Sequence, residues 1–156
     1  MRQFSMLRII LAFMVAVTAA AVTASVIQTQ FNLAALTALA VEIDMHTRIA
    51  TIFHDLLHFS PTIAVFLSLT LLVALPLAYW LGAGKPGHER LWFVAAGVIG
   101  LMVTFTIIDH LLPMPTLIAA NRTNLGFLLL SSCGGLAGWI FHRLWHPSAL
   151  ELQERG

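Results

Sequence analysis

Two histidines one helical turn apart, His54 and His58, form the clearest chemical pattern in the sequence, within "TIFHDLLHFSP". Residues i and i+4 share a helix face, so the two imidazoles can hold one metal ion, with Asp55 orienting or ligating. A zinc or copper site takes three or four protein ligands, and the third would have to be His46 or His110. The interpretation we favour is that the pair lies on the water-facing side of a helix, and a metal site is the alternative.

Asp109 and His110, in "IIDHLLPMP", are the ionisable groups that lie furthest inside an apolar segment. A charged group at mid-bilayer costs roughly 2.5–3.5 kcal/mol on insertion scales, but these two residues approach Pro113 and the interface. We favour a structural role, in which Asp109 pairs with Arg122 across the short link and joins the third helix to the fourth. The alternative places Asp109 and His110 beside the first histidine pair, around an outer pocket for a proton, a metal ion or a quinone headgroup.

A second histidine pair, His142 and His146, brackets Trp145 near the end of the last apolar segment. A transmembrane haem needs histidines that face each other from two helices, and the two pairs lie at opposite ends of the expected bundle. A haem is therefore compatible only with His110 and the outer helix. We predict no cofactor, and a metal ion or haem is the alternative.

The composition indicates that lipid surrounds most of the chain. Of 156 residues, 59% are hydrophobic and only 10% are charged, too few charges to cover a soluble domain of this length. A spanning helix needs about 20 apolar residues, and four segments meet this requirement: 7–27, 62–81, 91–112 and 125–144. The sequence predicts one all-α membrane domain over residues 1–156, an up-down bundle of four transmembrane helices.

The link between the first two spans, residues 31–59, lacks glycine and proline and has helical periodicity. At 100° per residue its apolar and polar side chains fall on opposite sides. The apolar side carries Ile49, Ile52, Phe53, Leu56 and Leu57, and the polar side carries Thr47, Thr51, His54, Asp55 and His58. We expect an amphipathic helix at the outer interface, with Asp44 as its N-cap and Pro61 in the first turn of the second span.

Basic and aromatic residues predict the orientation, because positive loops stay cytoplasmic and amphipathic rings anchor at headgroups. One side of the expected bundle carries Arg2, Arg8, Lys85, Arg90, Arg143, Arg155, Tyr79, Trp80, Trp92 and Trp145. The other side carries mainly acidic residues, so both termini are expected in the cytoplasm. The opening "MRQFSMLRIILAFMVAVTAAAVTAS" also has the pattern of a signal peptide, but its apolar run continues to Ile27, which favours a retained helix.

Small residues predict how the helices pack, since close backbone approach drives helix association in lipid. Alanines recur every fourth residue in the first span, and the fourth span has the GxxxG pair Gly134 and Gly138. We expect packing within one chain, with contacts between chains as the alternative. Pro76, inside the second span, should kink that helix or leave a carbonyl free for a neighbour.

The strings "FNLAAL", "HDLLHF", "DHLLPMP" and "NRT" resemble those of small four-span inner-membrane proteins of the proteobacterial type. This resemblance implies a bacterial inner-membrane location and four crossings, and it implies no activity or site. The four-span disulfide-forming proteins share the topology but need external cysteine pairs, whereas this chain has Cys133 alone.

The function expected from the sequence is non-enzymatic: an accessory or partner subunit of a larger membrane assembly, in contact with lipid and other subunits. The sequence contains no nucleophile–base pair, phosphate-binding loop or mid-membrane ion path. A net charge of +1 without a Lys/Arg run gives no case for nucleic-acid binding. The alternative is a metal- or cofactor-handling protein that uses His54, His58 and His110. A third class is an enzyme acting on lipid or quinone, with Asp109, His110 and His54 as acid–base groups.

Overall fold

The computed structural model describes residues 2–83, 87–111 and 118–146, and the described part is helical without strands. Its elements are α1 (Arg2–Ala38), α2 (Met45–Gly82), α3 (Glu89–Leu111), a short 3-10 turn (Ala119–Arg122) and α4 (Asn124–Trp145). Each of the four α-helices is long and apolar enough to cross a membrane, which confirms the predicted fold class. Among the residues used in the predictions, Lys85, Leu112, Pro113 and Arg155 lie outside the described residues.

The four helices form a ring in which each helix packs against its neighbours in the sequence, and α1 closes the ring against α4. At one end of the bundle, the end where α1 begins and α4 ends, Arg8 Nε donates to the Leu144 carbonyl at 2.8 Å. Towards the other end, the buried N–H of Ala120 donates to Gln28 Oε1 at 2.8 Å. We call these the terminal end and the hairpin end.

Small residues line the helix contacts, as the sequence predicts. The alanine row of α1 is almost completely buried, at 0–2% exposure for Ala12, Ala16, Ala20 and Ala24. In α4, a Cβ added to Gly134 would overlap the Gly97 carbonyl of α3, and one added to Gly138 would overlap the Phe93 carbonyl. The GxxxG pair therefore brings α4 into backbone contact with α3 of the same chain.

The link between the first two spans differs from the expected separate interfacial helix. Its first part continues α1 to Ala38, and its second part begins α2 at Met45. Asp44 does cap α2, because its carboxylate accepts from Thr47 N–H at 3.1 Å. Pro61 lies well inside α2 and not in the first turn of a helix, and α2 also continues through Pro76, whose ring is exposed.

Packing of α2 against α1 explains this continuity. An interior proline leaves the carbonyl four residues earlier without its usual N–H donor, but contacts made on both sides of Pro61 keep the helix in register. Before it, Asp55 binds Thr29 of α1, and after it Ile63 and Leu67 are buried in the core. We call residues 29–59, which comprise the end of α1, the turn and the start of α2, the outer hairpin.

The outer hairpin extends past the ends of α3 and α4. At about 1.5 Å per residue, the 38 residues of α2 are roughly 57 Å long, whereas the 23 residues of α3 are roughly 35 Å long. The shorter helix matches a hydrocarbon layer of about 30 Å. The difference, about 20 Å, is the length by which the outer hairpin exceeds the rest of the bundle.

The turn of the outer hairpin has a strained backbone at Ala40, whose φ is +60°. Val41 N–H bonds the Leu36 carbonyl at 3.3 Å, and Ala40 N–H bonds the Thr37 carbonyl at 3.0 Å. This is the Schellman pattern, in which the left-handed position is usually glycine. Here a residue with a Cβ occupies it.

Candidate functional site

The first histidine pair lies on the outer hairpin and faces away from the bundle. Both side chains are exposed, and the rings of His54 and His58 stack with centroids 4.2 Å apart and planes at 16°. Nδ1 of His58 lies 2.9 Å from the His54 carbonyl, so the backbone occupies one nitrogen of that ring. The pair is close, as its spacing predicts.

The water-facing position expected for Asp55 is wrong, although its Oδ1 does lie 3.6 Å from His54 Nδ1. Its side chain is 21% exposed, and Oδ2 accepts from the hydroxyl of the buried Thr29 at 2.7 Å. Phe53 and Leu57, expected on the apolar face that lies against the membrane interface, are 63% and 72% exposed. The face of α2 that contacts α1 therefore includes Asp55 and does not include Phe53 or Leu57.

Asp109 and His110 lie on exposed positions in the last turn of α3. The Asp109 carboxylate accepts from the side-chain amide of Asn121, which connects the end of α3 to the 3-10 turn. Asn121 directly precedes Arg122, and the Asp109–Arg122 pair itself stays a prediction. Within residues 2–83, 87–111 and 118–146, His54, His58 and His110 do not form a set of three ligand atoms within 4.8 Å of one another.

One such set does occur in the described part of the chain: Glu89, His142 and His146, at the terminal end. Glu89 Oε2 lies 3.2 Å from His146 Nε2 and 3.9 Å from His142 Nε2. The two imidazoles stack with centroids 5.2 Å apart. We call these three residues the Glu-His-His cluster.

The ends of two antiparallel helices position the Glu-His-His cluster. Glu89 is in the first turn of α3, and the histidines lie at the end of α4, which the glycine contacts hold against α3. The positive end of the α3 dipole favours the carboxylate, and the negative end of the α4 dipole favours a cation beside the histidines. Two imidazole nitrogens and one carboxylate oxygen are the protein ligands of many open zinc sites.

The inner histidine of the cluster is the less exposed of the two. The His142 side chain is 16% exposed, and its ring lies 5.2 Å from that of Phe93. Its Nε2 atom is buried and has no hydrogen-bond partner within the described structure. Sequence reasoning noted the histidine pair but missed Glu89, although neighbouring antiparallel helices bring the start of α3 beside the end of α4.

Large apolar side chains are exposed along one side of α2 in the outer hairpin. Met45, Ile49, Phe53 and Leu57 are 72%, 51%, 63% and 72% exposed. They recur every fourth residue, which places them in a single row. We call them the apolar row.

A groove of about 530 Å³ between α2 and α3 lies at membrane depth. Leu69, Val73, Ile99 and Val103 are among its lining residues, and Thr70 bonds Thr104 at 2.7 Å beneath them. Because the hydroxyls satisfy each other, the groove presents an apolar surface that suits lipid chains.

Comparison of the chain with protein-family models, with curated proteins and with solved structures finds no match. The functional interpretation therefore depends on the apolar row, the Glu-His-His cluster and the fold that positions them.

Proposed function

We propose that the chain is a non-enzymatic accessory subunit of a larger membrane assembly and that it binds a partner subunit through the outer hairpin. The observation that carries this proposal is the apolar row. It lies on the part of α2 that exceeds the length of α3, and this extra length supports a position beyond the hydrocarbon layer.

The energetics of the apolar row favour a protein partner. Moving one large apolar side chain from water into a protein interface is worth about 1.5–3 kcal/mol. Leaving four such side chains exposed to water is therefore costly. Spacing by four residues presents these side chains to one partner helix, as in helix-to-groove recognition. The contact with α1 does not use this row, because Asp55 makes that contact from another side of α2.

The proposed location is the bacterial inner membrane, with both termini in the cytoplasm and the outer hairpin on the opposite side. Aromatic and basic residues at the terminal end support this orientation. Tyr79 and Trp145 are in edge-to-face contact there, and Arg143 lies 5.6 Å from the centre of the Trp139 ring. Amphipathic rings at headgroup depth and positive charge on the cytoplasmic side are the usual arrangement.

Site-specific photo-crosslinking in intact cells tests the accessory-subunit proposal. A crosslinking amino acid at Ile49 or Phe53 is expected to give one heteromeric adduct of defined mass, because both positions belong to the apolar row. The double variant Phe53→Ser/Leu57→Ser, with the crosslinker at Ile49, should lose that adduct. A crosslinker at Val73, exposed to lipid at membrane depth, is the matched control and should give none.

The proposal is contradicted if Ile49 and Phe53 crosslink no more than Val73 and the chain elutes alone from mild detergent. Retention of the adduct in the serine double variant also counts against it, because the contact would then not depend on the apolar row.

A further inference from the structure

We propose that Glu89, His142 and His146 bind one divalent first-row transition-metal ion at the terminal end of the bundle. This inference is independent of the accessory-subunit proposal, because the Glu-His-His cluster lies at the opposite end from the outer hairpin. It names ligands that differ from His54, His58 and His110, the candidate metal ligands of the sequence analysis.

The geometry of the cluster suits a tetrahedral ion. Bonds of about 2.0–2.2 Å to nitrogen and oxygen place neighbouring ligand atoms about 3.3–3.5 Å apart. The distance from Glu89 Oε2 to His146 Nε2 is 3.2 Å, and that to His142 Nε2 is 3.9 Å. Small side-chain rotations are sufficient to bring all three atoms onto one ion, because no pair is more than 4.8 Å apart.

The unpartnered nitrogen of His142 is a second, independent observation. A buried polar atom without a hydrogen bond costs about 1–3 kcal/mol, and His142 Nε2 is such an atom. It lies on the same side of the ring as the Glu89 carboxylate, at 3.9 Å, which is too long for a hydrogen bond. A metal ion between the two atoms satisfies both.

The outer histidine pair provides an internal comparison. His54 and His58 have the same i, i+4 spacing and also stack. Their neighbouring carboxylate, Asp55, accepts from Thr29 and lies 3.6 Å from His54 Nδ1, whereas His58 Nδ1 contacts the His54 carbonyl. Both pairs therefore share the i, i+4 spacing. Within the described residues, the Glu-His-His cluster is the one in which a carboxylate lies near the Nε2 atoms of both histidines.

The donor set selects the class of ion. Imidazole suits zinc, copper, iron and nickel, whereas calcium and magnesium prefer sites built from oxygen alone. Three protein ligands leave a coordination position open, as in zinc sites that hold water or substrate. His146 is 46% exposed and Glu89 is 38% exposed, so the ion can exchange with solution.

Metal titration of the full chain, purified in mild detergent without a histidine tag, tests this proposal. Zn²⁺ is titrated against a chromophoric chelator, and Co²⁺ binding is followed by visible absorption. We expect one equivalent of Zn²⁺ and the intense bands of four-coordinate cobalt. Glu89→Gln should weaken Zn²⁺ binding by at least about 100-fold, because loss of even an outer-shell partner costs roughly 10–100-fold.

His146→Ala should cause a similar loss of Zn²⁺ affinity, and the matched control His54→Ala/His58→Ala should leave affinity and cobalt spectrum unchanged. Helical content and monodisperse elution, measured without metal, show that each variant is folded. His142 is packed against Phe93, so Glu89→Gln and His146→Ala decide the result if a His142 variant does not fold.

Absence of a one-equivalent site overturns the proposal. So does wild-type Zn²⁺ affinity in Glu89→Gln or His146→Ala, which would leave the cluster as an ion pair only. Loss of binding in the outer-pair control would assign the ion to the outer hairpin and would overturn it as well.

Discussion

Gly97 and Gly134 bring the backbones of α3 and α4 together where no side chain separates them. An added Cβ on either residue overlaps the carbonyl of the other, so the contact tolerates nothing larger than hydrogen. In lipid such close approach is a main source of helix association, since apolar side chains gain little by leaving the lipid. The same contact fixes the distance between the start of α3 and the end of α4.

Gly134→Ala is expected to lower the free energy of unfolding by about 1–3 kcal/mol, because the new methyl group forces α3 and α4 apart. Reversible denaturation in mixed detergent and SDS measures this change. Gly82→Ala is the matched control, since its Cβ would meet nothing closer than 3.6 Å. Equal stability of the two variants would mean that the close approach of α3 and α4 does not limit the bundle.

Residue spacing correctly predicted that the histidines of each pair lie close together. It did not predict which carboxylate contacts the second pair or where the carboxylate beside the first pair lies. Helical periodicity gives the angles between side chains and does not say which face meets a neighbour. Asp55 was expected in water because its partner, Thr29, is on another helix and 26 positions away in the chain. Glu89 was missed for the same reason, since its distance to His146 depends on the register of α3 against α4.

At the scale of elements, the sequence predicted the N-cap of α2 well. It did not predict that α1 and α2 continue past the ends of the membrane spans. Asp44 caps α2 as expected, because a cap needs only the next three residues, and Thr123 caps α4 in the same way. The break expected near Pro61 is absent, because α1 packs along α2 on both sides of it. Hydropathy marks where a helix leaves the membrane, and it does not mark where the helix ends.

Ala40→Gly is expected to stabilise the outer hairpin by about 1 kcal/mol. A left-handed φ costs an L-residue roughly 1–2 kcal/mol, and glycine avoids that cost while losing some of the gain to backbone entropy. Thermal unfolding or amide exchange over residues 36–48 measures the effect. The matched control is Ala35→Gly, at an exposed position inside α1, which should destabilise by about 1 kcal/mol. A destabilising Ala40→Gly would show that the turn does not adopt this backbone in the membrane-inserted protein.

At the scale of the whole molecule, the two ends of the bundle differ in shape and chemistry. The terminal end is aromatic and includes the Glu-His-His cluster, whereas the hairpin end extends about 20 Å further along α1 and α2 than along α3. Composition was enough to predict four spans, and short links were enough to predict their order. The Glu-His-His cluster and the apolar row depend on how the helices pack against one another, and the sequence alone does not give that packing.

Cysteine labelling in spheroplasts tests the proposed orientation. His54→Cys is expected to react with a membrane-impermeant maleimide from outside, because its side chain is 67% exposed on the outer hairpin. His88→Cys, exposed near the start of α3, should react only after the membrane is permeabilised. Val73→Cys should stay unlabelled as the lipid-facing control, and the native Cys133 is buried, so its background is low. The opposite labelling pattern for His54→Cys and His88→Cys would reverse the topology.

α1 and α2 each continue from the membrane-spanning part into the outer hairpin as one helix. A change in their tilt would therefore move the outer hairpin as well. Transmembrane helices change tilt when bilayer thickness changes. A tilt of about 10° moves a tip about 20 Å beyond its exit point by roughly 3–4 Å. If the proposed partner subunit binds the apolar row, a change in bilayer thickness would displace the surface to which it binds.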